Sequence, residues 1–159
     1  MNLIYLHKKM TAKIAEYDAF LTKQDPAFTV EELEEAMQKV MDQYAGGIGT
    51  HYQFNEKQLA MAEEKIKKLQ ILAKGLAAAD MHELMFIYEL KERLTVCLTV
   101  IAHLRARKET RWHSFAENLD YPEKSDAWLC YVNSKKNGDQ ITMIRRDLVK
   151  GGETYEHRD

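Results

Sequence analysis

Apolar residues recur at steps of three and four along the first two-thirds of the chain, which predicts a series of amphipathic helices. The first stripe runs from Leu3 to Leu21 and stops before Asp25-Pro26, because proline pushes the preceding residue out of the α region. The second helix is predicted to begin at Thr29, since Thr29-Val-Glu-Glu32 forms a capping box. Gly46-Gly47 is predicted to end it.

Two further helices start at residues that favour the N-cap position. Asn55 precedes a seam from Leu59 to Leu76 that alternates steps of four and three, a pattern typical of near-parallel helix packing. Asp80 precedes a longer stripe from Leu84 to Leu104, predicted to continue to about Lys108. Additional apolar residues predict that this helix is buried on more than one side: Tyr88, Val96, Leu98 and Val100.

The pattern changes to a period of two after Pro122. Trp128 to Ser134 and Ile141 to Ile144 alternate apolar and polar residues, and Asn137-Gly138 between them is a strong hairpin-turn signal. The predicted fold is therefore mainly α: an antiparallel three- to four-helix bundle, spectrin-repeat-like, followed by a C-terminal β-hairpin.

We expect a single domain, with a helical bundle over residues 1–118, a β-hairpin extension packed on it over residues 119–150, and a loose tail over residues 151–159. The first helix begins at once and has no N-terminal cap of its own. Two expectations stay open on that basis: the chain is a fragment of a longer protein, or it is an unusually short one.

Composition excludes several classes of protein. The 159 residues are 45% hydrophobic and 30% charged with a net charge of -2, so we expect no nucleic-acid binding. No apolar run approaches the roughly 18 residues that a membrane span needs. Charges spread through the first helix argue against a signal peptide. We therefore expect a cytoplasmic protein in which Cys97 and Cys130 are reduced.

A cluster of arginines and aromatic residues begins at the C-terminal end of the fourth helix and continues after it. The candidate interface or anion site consists of Arg105, Arg107, Glu109, Arg111, Trp112 and Tyr121. Planar guanidinium groups beside aromatic rings can bind carboxylates or phosphates in a bidentate manner. The alternative is an ion-paired helix end whose aromatic side chains pack back onto the helices. Histidine spacing predicts no metal site.

The same region resembles a known family. Arg107-Lys-Glu-Thr-Arg111, Asp120-Tyr-Pro-Glu123 and Asp126-Ala-Trp-Leu129 are similar to the C-terminal signature of succinate dehydrogenase/fumarate reductase flavoproteins, which runs R-x-E-S-R, D-Y-P-E, D-D-x-x-W-L. Upstream, residues 37–47 resemble its L-Q-x-x-M-D-x-Y-x-G segment, and residues 80–90 resemble its D-L-H-E-L-x-x-x-x-E-L segment. The resemblance extends from about residue 29 to 147.

Within this family the chain is similar to the adenylylsulfate reductase α-subunit branch. Trp112 stands where succinate dehydrogenases have glycine, and residues 128–134 followed by a hairpin resemble that branch. Ser114 and Ala116 replace the H-x-R of succinate dehydrogenases, so that activity is not implied. The resemblance implies an enzyme that reduces adenosine 5′-phosphosulfate to sulfite and AMP with FAD, using electrons from an iron–sulfur β-subunit.

The chain contains no G-x-G-x-x-G after a predicted strand, so the FAD-binding domain of the family is absent from these residues. The family's catalytic residues belong to its flavin and capping domains. We therefore expect no catalytic, cofactor-binding or metal-binding residue here. FAD belongs to the full-length family.

The resemblance implies a scaffold or docking domain of a fumarate reductase/adenylylsulfate reductase-like FAD oxidoreductase. Its expected partners are an FAD-binding domain of the same family, an iron–sulfur subunit and a second copy of the chain. Two alternatives stay open. One is a stand-alone self-association module that uses the stripe from Leu3 to Leu21; the other is an anion- or nucleotide-binding domain that uses the Arg107–Arg111 cluster. The resemblance implies that the chain is part of a flavoprotein oxidoreductase, and we expect that this chain alone is not catalytic.

Overall fold

The computed structural model describes residues 3–138 and 140–149. Four α-helices carry most of the described chain, and a C-terminal antiparallel hairpin follows them. The elements are α1 (Leu3–Leu21), α2 (Val30–Tyr44), β1 (Gln53–Phe54), α3 (Glu56–Leu72), α4 (Met81–Ala106), β2 (Glu117–Asn118), β3 (Cys130–Asn137) and β4 (Gln140–Asp147). The predicted fold class is confirmed as mainly α with a C-terminal hairpin. The predicted tail, residues 151–159, lies outside the described residues.

The helices begin where local capping chemistry places them. The Thr29 N–H donates to Glu32 Oε2 at 2.9 Å and the Glu32 N–H donates to Thr29 Oγ1 at 3.2 Å, so the capping box is reciprocal. Asn55 Oδ1 accepts from the Gln58 N–H at 2.9 Å, and Asp80 Oδ1 accepts from the Glu83 N–H at 2.9 Å. These side chains satisfy N–H groups that have no partner within the helix.

Two compact units make up the chain, with divisions after Met41, Ala62 and Cys97. The first unit joins the segment before Asp42 to residues 63–97. Its buried apolar side chains come from all four helices: Phe20, Leu33, Met37, Ile66, Leu69, Ala73, Leu76, Ala78, Leu84, Ile87, Leu90 and Leu94. α1 contributes only Phe20, because every residue from Leu3 to Ala12 is exposed.

The second unit joins residues 42–62 to the chain from Leu98 onward. Its buried side chains include Phe54, Leu59, Ala62 and Ile101, and also the polar residues Glu109, Thr110 and Asn118. β1 and β2 pair in parallel, with Gln53 opposite Glu117 and Phe54 opposite Asn118. Strands of two residues are too short to show a period, so the sequence did not predict this pairing. The domain boundary at residue 118 stays a prediction.

The hairpin pairs β3 with β4 from Cys130 opposite Asp147 to Asn137 opposite Gln140. Gly138 has a φ of 60°, the left-handed conformation that the Asn-Gly turn signal predicts. The predicted start at Trp128 is wrong, because Asp126–Trp128 forms a 3₁₀ turn. Both strands continue past their predicted ends, to residues 135–137 in β3 and to residues 145–147 in β4. These added residues are all exposed and show no apolar alternation, so only backbone pairing places them in the strands.

The prediction that α4 is buried on more than one side holds only in part: Tyr88 and Leu98 are half-buried, but the two valines are not. Val96 and Val100 are 60% and 41% exposed, so that side of the helix is not buried. Its buried residues form a single stripe from Leu84 to Ile101.

Candidate functional site

Glu109 is at the centre of the arginine cluster that follows α4. Its side chain is fully buried, with an exposed fraction of 0%. Arg107 Nη1 and Arg111 Nε each lie 2.5 Å from Oε1 of this carboxylate. The Ser125 N–H donates to Oε2 at 3.0 Å. Both carboxylate oxygens therefore have charged or backbone partners.

The electrostatics of this group follow from those contacts. Burial alone raises the pKa of the Glu109 carboxyl, but the Ser125 N–H and the guanidinium groups of Arg111 and Arg107 outweigh burial and lower that pKa below its ordinary value. Glu109 is therefore a buried carboxylate ion between two cations. Such an arrangement is stable only while each partner is present.

The two arginines also hold backbone carbonyl groups. Arg107 Nη1 donates to the Trp128 carbonyl and Nη2 donates to the Cys130 carbonyl, both at 3.0 Å. Arg111 Nη2 donates to the Ser125 carbonyl at 3.0 Å. The guanidinium groups thus connect the end of α4 to the 3₁₀ turn and to the start of β3.

Thr110 holds the next part of the motif. Its hydroxyl donates to the Tyr121 carbonyl at 2.8 Å and accepts from the Asn118 N–H at 3.0 Å. The Thr110 N–H donates to the Glu123 carbonyl at 3.2 Å. Because Thr110 is only 1% exposed, these bonds replace contacts with water that burial removes.

Asp120 accepts a hydrogen bond from a residue that is far from it in sequence. Its Oδ2 accepts from the Glu56 N–H at 2.7 Å, so the carboxylate lies at the N-terminus of α3. Negative charge is favourable there because the helix dipole is positive at that end. Arg105 Nε lies 2.7 Å from Glu56 Oε1. The Asp-Tyr-Pro motif therefore fixes the start of α3 as well as its own turn.

The Met-Asp-x-Tyr-x-Gly-Gly segment has a separate structural role. Asp42 Oδ1 accepts from the Gly49 N–H at 3.0 Å. A Cβ atom on Gly47 would lie 2.3 Å from the Cα of Asp42, a separation that no side chain tolerates. Glycine is therefore required at residue 47, because the backbone after α2 turns back onto Asp42.

A cavity of about 500 Å³ lies beside the Arg107–Glu109–Arg111 cluster. Apolar side chains provide most of its wall: Phe54, Leu104, Trp112, Trp128, Leu129 and Val132. Trp112 is 70% exposed, and nearby Phe115 is 71% exposed with its ring 6.3 Å from that of Tyr52. The Arg145 guanidinium lies 4.3 Å from the Trp128 ring, a cation–π contact.

The structure divides the six candidate residues between two cavities. Arg107, Glu109, Arg111 and Trp112 line the first. Arg105 and Tyr121 line a second cavity of about 540 Å³, together with Glu56, Leu59, Lys108, Asn118 and Asp120. The anion site built from all six residues therefore stays a prediction.

Sequence reasoning did not find Ser125 and Cys130 as members of the first cluster. They take part through backbone atoms, which residue types do not reveal. The Asp126-Ala-Trp-Leu129 motif was the one signal that pointed to this segment.

Tests for a metal or for FAD give no fit in the described part of the chain. Residues 3–138 and 140–149 contain no group of three or more His, Cys, Asp or Glu side chains arranged to hold a metal ion. α3 follows β1, but the Asp120 carboxylate already occupies the helix N-terminus where a dinucleotide pyrophosphate would bind. In this same described part, no helix combines the length and the apolar character that crossing a bilayer requires.

Comparisons with known proteins agree with these motifs. The family described as fumarate reductase flavoprotein C-term matches residues 34–153. The α-subunit of adenylylsulfate reductase from Megalodesulfovibrio gigas is 34% identical over 98 residues, which cover 61% of this chain. The match covers only 15% of the length of that relative.

Solved structures extend the similarity over nearly the whole chain. Adenylylsulfate reductase from Archaeoglobus fulgidus has a TM-score of 0.83 and 30% identity, covering 98% of this chain and 26% of that one. A quinol fumarate reductase from E. coli has a TM-score of 0.74 at 17% identity, covering 98% and 27%, and so shares the fold. The match over residues 34–153 shows that this chain belongs to the family of fumarate reductase flavoprotein C-terminal domains, and adenylylsulfate reductases are among its relatives.

Proposed function

We propose that this chain is a scaffold or docking domain of an adenylylsulfate reductase/fumarate reductase-like FAD oxidoreductase, without a catalytic site of its own. One observation carries the proposal. Arg107 and Arg111 are bound to the buried Glu109 and to the backbone carbonyls of Ser125, Trp128 and Cys130. Guanidinium groups that are bound in this way stabilise the local backbone and are poorly placed to bind a substrate.

The surface beside the Arg107–Glu109–Arg111 cluster suits a protein partner. The cavity has mainly apolar walls, and Trp112 and Leu129 on its rim are 70% and 57% exposed. Exposed aromatic and aliphatic side chains around a shaped cavity are typical of protein interaction sites. We propose that the occupant is an FAD-binding domain of the same family, which holds the flavin and supplies the catalytic residues.

The remaining partners are also proposals. The Megalodesulfovibrio gigas relative is named an α-subunit, which implies at least one further subunit in that enzyme. We propose an iron–sulfur subunit as the second partner of this chain. A cytoplasmic location fits the two cysteines, Cys97 and Cys130, because both are unpaired thiols.

Assembly in trans tests the docking proposal. The Megalodesulfovibrio gigas α-subunit is expressed without the segment that matches this chain, and this chain is added separately. We expect a one-to-one complex on size-exclusion chromatography that retains flavin, because the apolar surface finds the partner that its relatives have. The excised native segment is the positive control.

Two variants locate the contact. Trp112→Glu should prevent assembly because it places a charge in the apolar rim. Val96→Glu, on an exposed part of α4, is the matched control and should assemble normally. Assembly of the native segment but not of this chain would count against docking to that domain, and equal assembly of both variants would exclude the cavity rim as the contact.

A second candidate, the self-association module, is favoured by α1. Leu3, Met10 and Ile14 are 83%, 57% and 56% exposed along one side of the helix. Paired copies of α1 would remove this apolar surface from water. Light scattering should then report a dimer that Met10→Glu converts to a monomer, whereas Ile71→Glu, at a residue 65% exposed on α3, should leave the dimer intact. A monomer at all concentrations excludes this candidate.

A further inference from the structure

The first half of α1 is exposed on every side. Each residue from Leu3 to Ala12 is exposed, over a length of about 15 Å at 1.5 Å per residue. A helical segment this short is only marginally stable in water when nothing packs against it. A cover from outside the first unit would therefore stabilise this half of the helix.

The second half of α1 attaches the helix to its unit. The Phe20 side chain is buried, and the Tyr88 ring makes edge-to-face contacts with the rings of Phe20 and Tyr17, with centroids 6.3 and 5.3 Å apart. Lys13 Nζ donates to the Tyr88 hydroxyl at 3.0 Å. These contacts fix the direction of the helix, so the exposed half is presented in one orientation.

Apolar side chains surround the axis of α1 at its first described residues, which we call the apolar turn. The apolar turn consists of Leu3, Ile4, Tyr5 and Leu6, which are 83%, 66%, 54% and 41% exposed. Successive residues of an α-helix point about 100° apart, so these side chains point to all sides. A helix that is apolar all round is normally buried. A second helix or a flat surface would cover one side only, so the cover that fits is a socket.

Positive charge follows the apolar turn directly. Lys8 and Lys9 are exposed, and the segment from Leu3 to Ala15 contains no aspartate or glutamate. Lys9 Nζ lies 4.8 Å from the centroid of the Tyr5 ring, so its charge stays beside the apolar turn. Complementary charge on a partner would be negative. The two lysines therefore favour a socket with carboxylates around its mouth.

A solved relative indicates which polypeptide can supply the socket. Adenylylsulfate reductase from Archaeoglobus fulgidus matches 98% of this chain, so the matched fold includes most of α1. This chain corresponds to only 26% of that relative. The same helix therefore occurs in a polypeptide that has much further chain available to cover it.

We infer that the first half of α1 inserts into an apolar socket on the FAD-binding domain, with carboxylates at the mouth of the socket. The socket encloses the apolar turn, and its carboxylates pair with Lys8 and Lys9. This inference rests on the proposed function, because it takes the same domain as the partner. It adds a second contact, made by the first unit, whereas the cavity rim at Trp112 belongs to the second unit. Variants can therefore change the two contacts separately.

Assembly with the truncated Megalodesulfovibrio gigas α-subunit tests this contact with the intact chain. Leu3→Glu combined with Leu6→Glu should weaken assembly by at least about tenfold, because two charges would enter an apolar socket. Ile71→Glu combined with Val96→Glu is the matched control, because both residues are exposed in the same unit, and it should assemble normally. Circular dichroism should show native helix content for both pairs, since all four residues are exposed.

Hydrogen exchange gives a readout at the helix itself. The amides of residues 7–12 should exchange rapidly in the free chain, because this half of α1 opens locally. They should exchange at least about tenfold more slowly in the complex, where the socket keeps the helix closed. Unchanged exchange on assembly would show that the partner does not cover α1.

Charge variants test the mouth of the socket. Lys8→Glu combined with Lys9→Glu should weaken assembly by about fivefold or more, because attraction becomes repulsion. Lys8→Arg combined with Lys9→Arg keeps the charge and should assemble normally. Lys57→Glu combined with Lys74→Glu, at exposed lysines outside α1, is the control for net charge and should have little effect.

The outcomes separate this inference from the docking proposal. Normal assembly of the Leu3 and Lys8 variants, with assembly still prevented by Trp112→Glu, would overturn the inference alone. Assembly of the native segment but not of this chain would overturn both. Self-association of the free chain that the Leu3 variant abolishes would identify a second copy as the cover. Binding of the free chain to phosphatidylglycerol vesicles that the Lys8 variant abolishes would identify a lipid surface instead.

Discussion

Glu16 in the first unit and Glu109 in the second are carboxylates that each lie between two cations. In the first unit, Glu16 Oε2 lies 2.9 Å from Lys13 Nζ, and Oε1 lies 2.5 Å from Lys91 Nζ. In the second unit, Glu109 has Arg107 and Arg111 at 2.5 Å. The number of cations is the same. The surroundings differ: the Glu16 side chain is 36% exposed and that of Glu109 is 0% exposed.

The two groups therefore contribute differently to stability. Hydrogen bonds from Lys91 and Lys13 lower the pKa of Glu16 to about 2, yet water and salt screen much of that interaction. Glu109 has no access to water, and its guanidinium partners also hold backbone carbonyls of the segment that leads into β3. Burial and backbone contact, rather than the number of ion pairs, separate a structural centre from a surface cluster.

The largest effect should follow removal of the buried charge. Glu109→Gln should lower the free energy of unfolding by about 3–5 kcal/mol, because two guanidinium groups lose their counter-ion while they stay partly buried. Urea denaturation followed by circular dichroism measures this change. Glu35→Gln, which removes an exposed partner of Lys39, is the matched control and should leave the urea midpoint almost unchanged, because water and salt screen that pair. Equal losses for the two variants would contradict the difference between buried and exposed clusters.

A smaller loss is expected when charge is kept and geometry is changed. Arg107→Lys should cost about 1–3 kcal/mol, because an ammonium group cannot reach Glu109 and two carbonyls with the fork of a guanidinium. Hydrogen exchange should accelerate at the backbone amides around Cys130. Arg93→Lys, in an exposed ion pair with Glu34 and Glu89, is the control. Unchanged exchange at residues 128–131 would show that Arg107 does not hold this segment.

The exposed cluster around Glu16 should contribute little to the free energy of unfolding, and its contribution should be lost in acid. The folded-state pKa of Glu16 is about 2 and its ordinary value is 4.5, so its contribution is fully present above about pH 4.5 and is lost as pH falls through 2. Because the side chain is 36% exposed, Glu16→Gln should cost less than about 1 kcal/mol at neutral pH. Urea midpoints of both proteins between neutral and acid pH measure this. A midpoint difference that grows as pH falls would have the wrong sign.

The smallest expected effect is on ligand binding. Calorimetry with AMP or adenosine 5′-phosphosulfate at millimolar concentration should give no saturable heat, because Arg107 and Arg111 are bound to Glu109 and to carbonyl groups. Saturable heat that Arg111→Lys abolishes would instead support the alternative anion site. The control titration uses Arg93→Lys, which leaves the cluster intact.

Features that depend on neighbouring residues were predictable from the sequence. Thr29 and Glu32 cap α2 reciprocally, and the Asn137-Gly138 turn joins two strands, because both devices act within a few residues. The family motifs could also be read from the sequence, because each motif is a short run of residues. The choice between an anion site and an ion-paired helix end was not predictable, since it depends on which groups Arg107 and Arg111 meet.

The order and type of elements, their starts and the hairpin turn are therefore properties of local sequence, because capping, periodicity and left-handed glycine are short-range effects. Only the folded chain brings Asp120 to the N-terminus of α3, 64 residues away, and Glu109 to the Ser125 N–H, 16 residues away. It also leaves α1 largely exposed although its apolar stripe resembles those of the buried helices. Burial depends on what the rest of the chain supplies, and no periodicity within one segment contains that information.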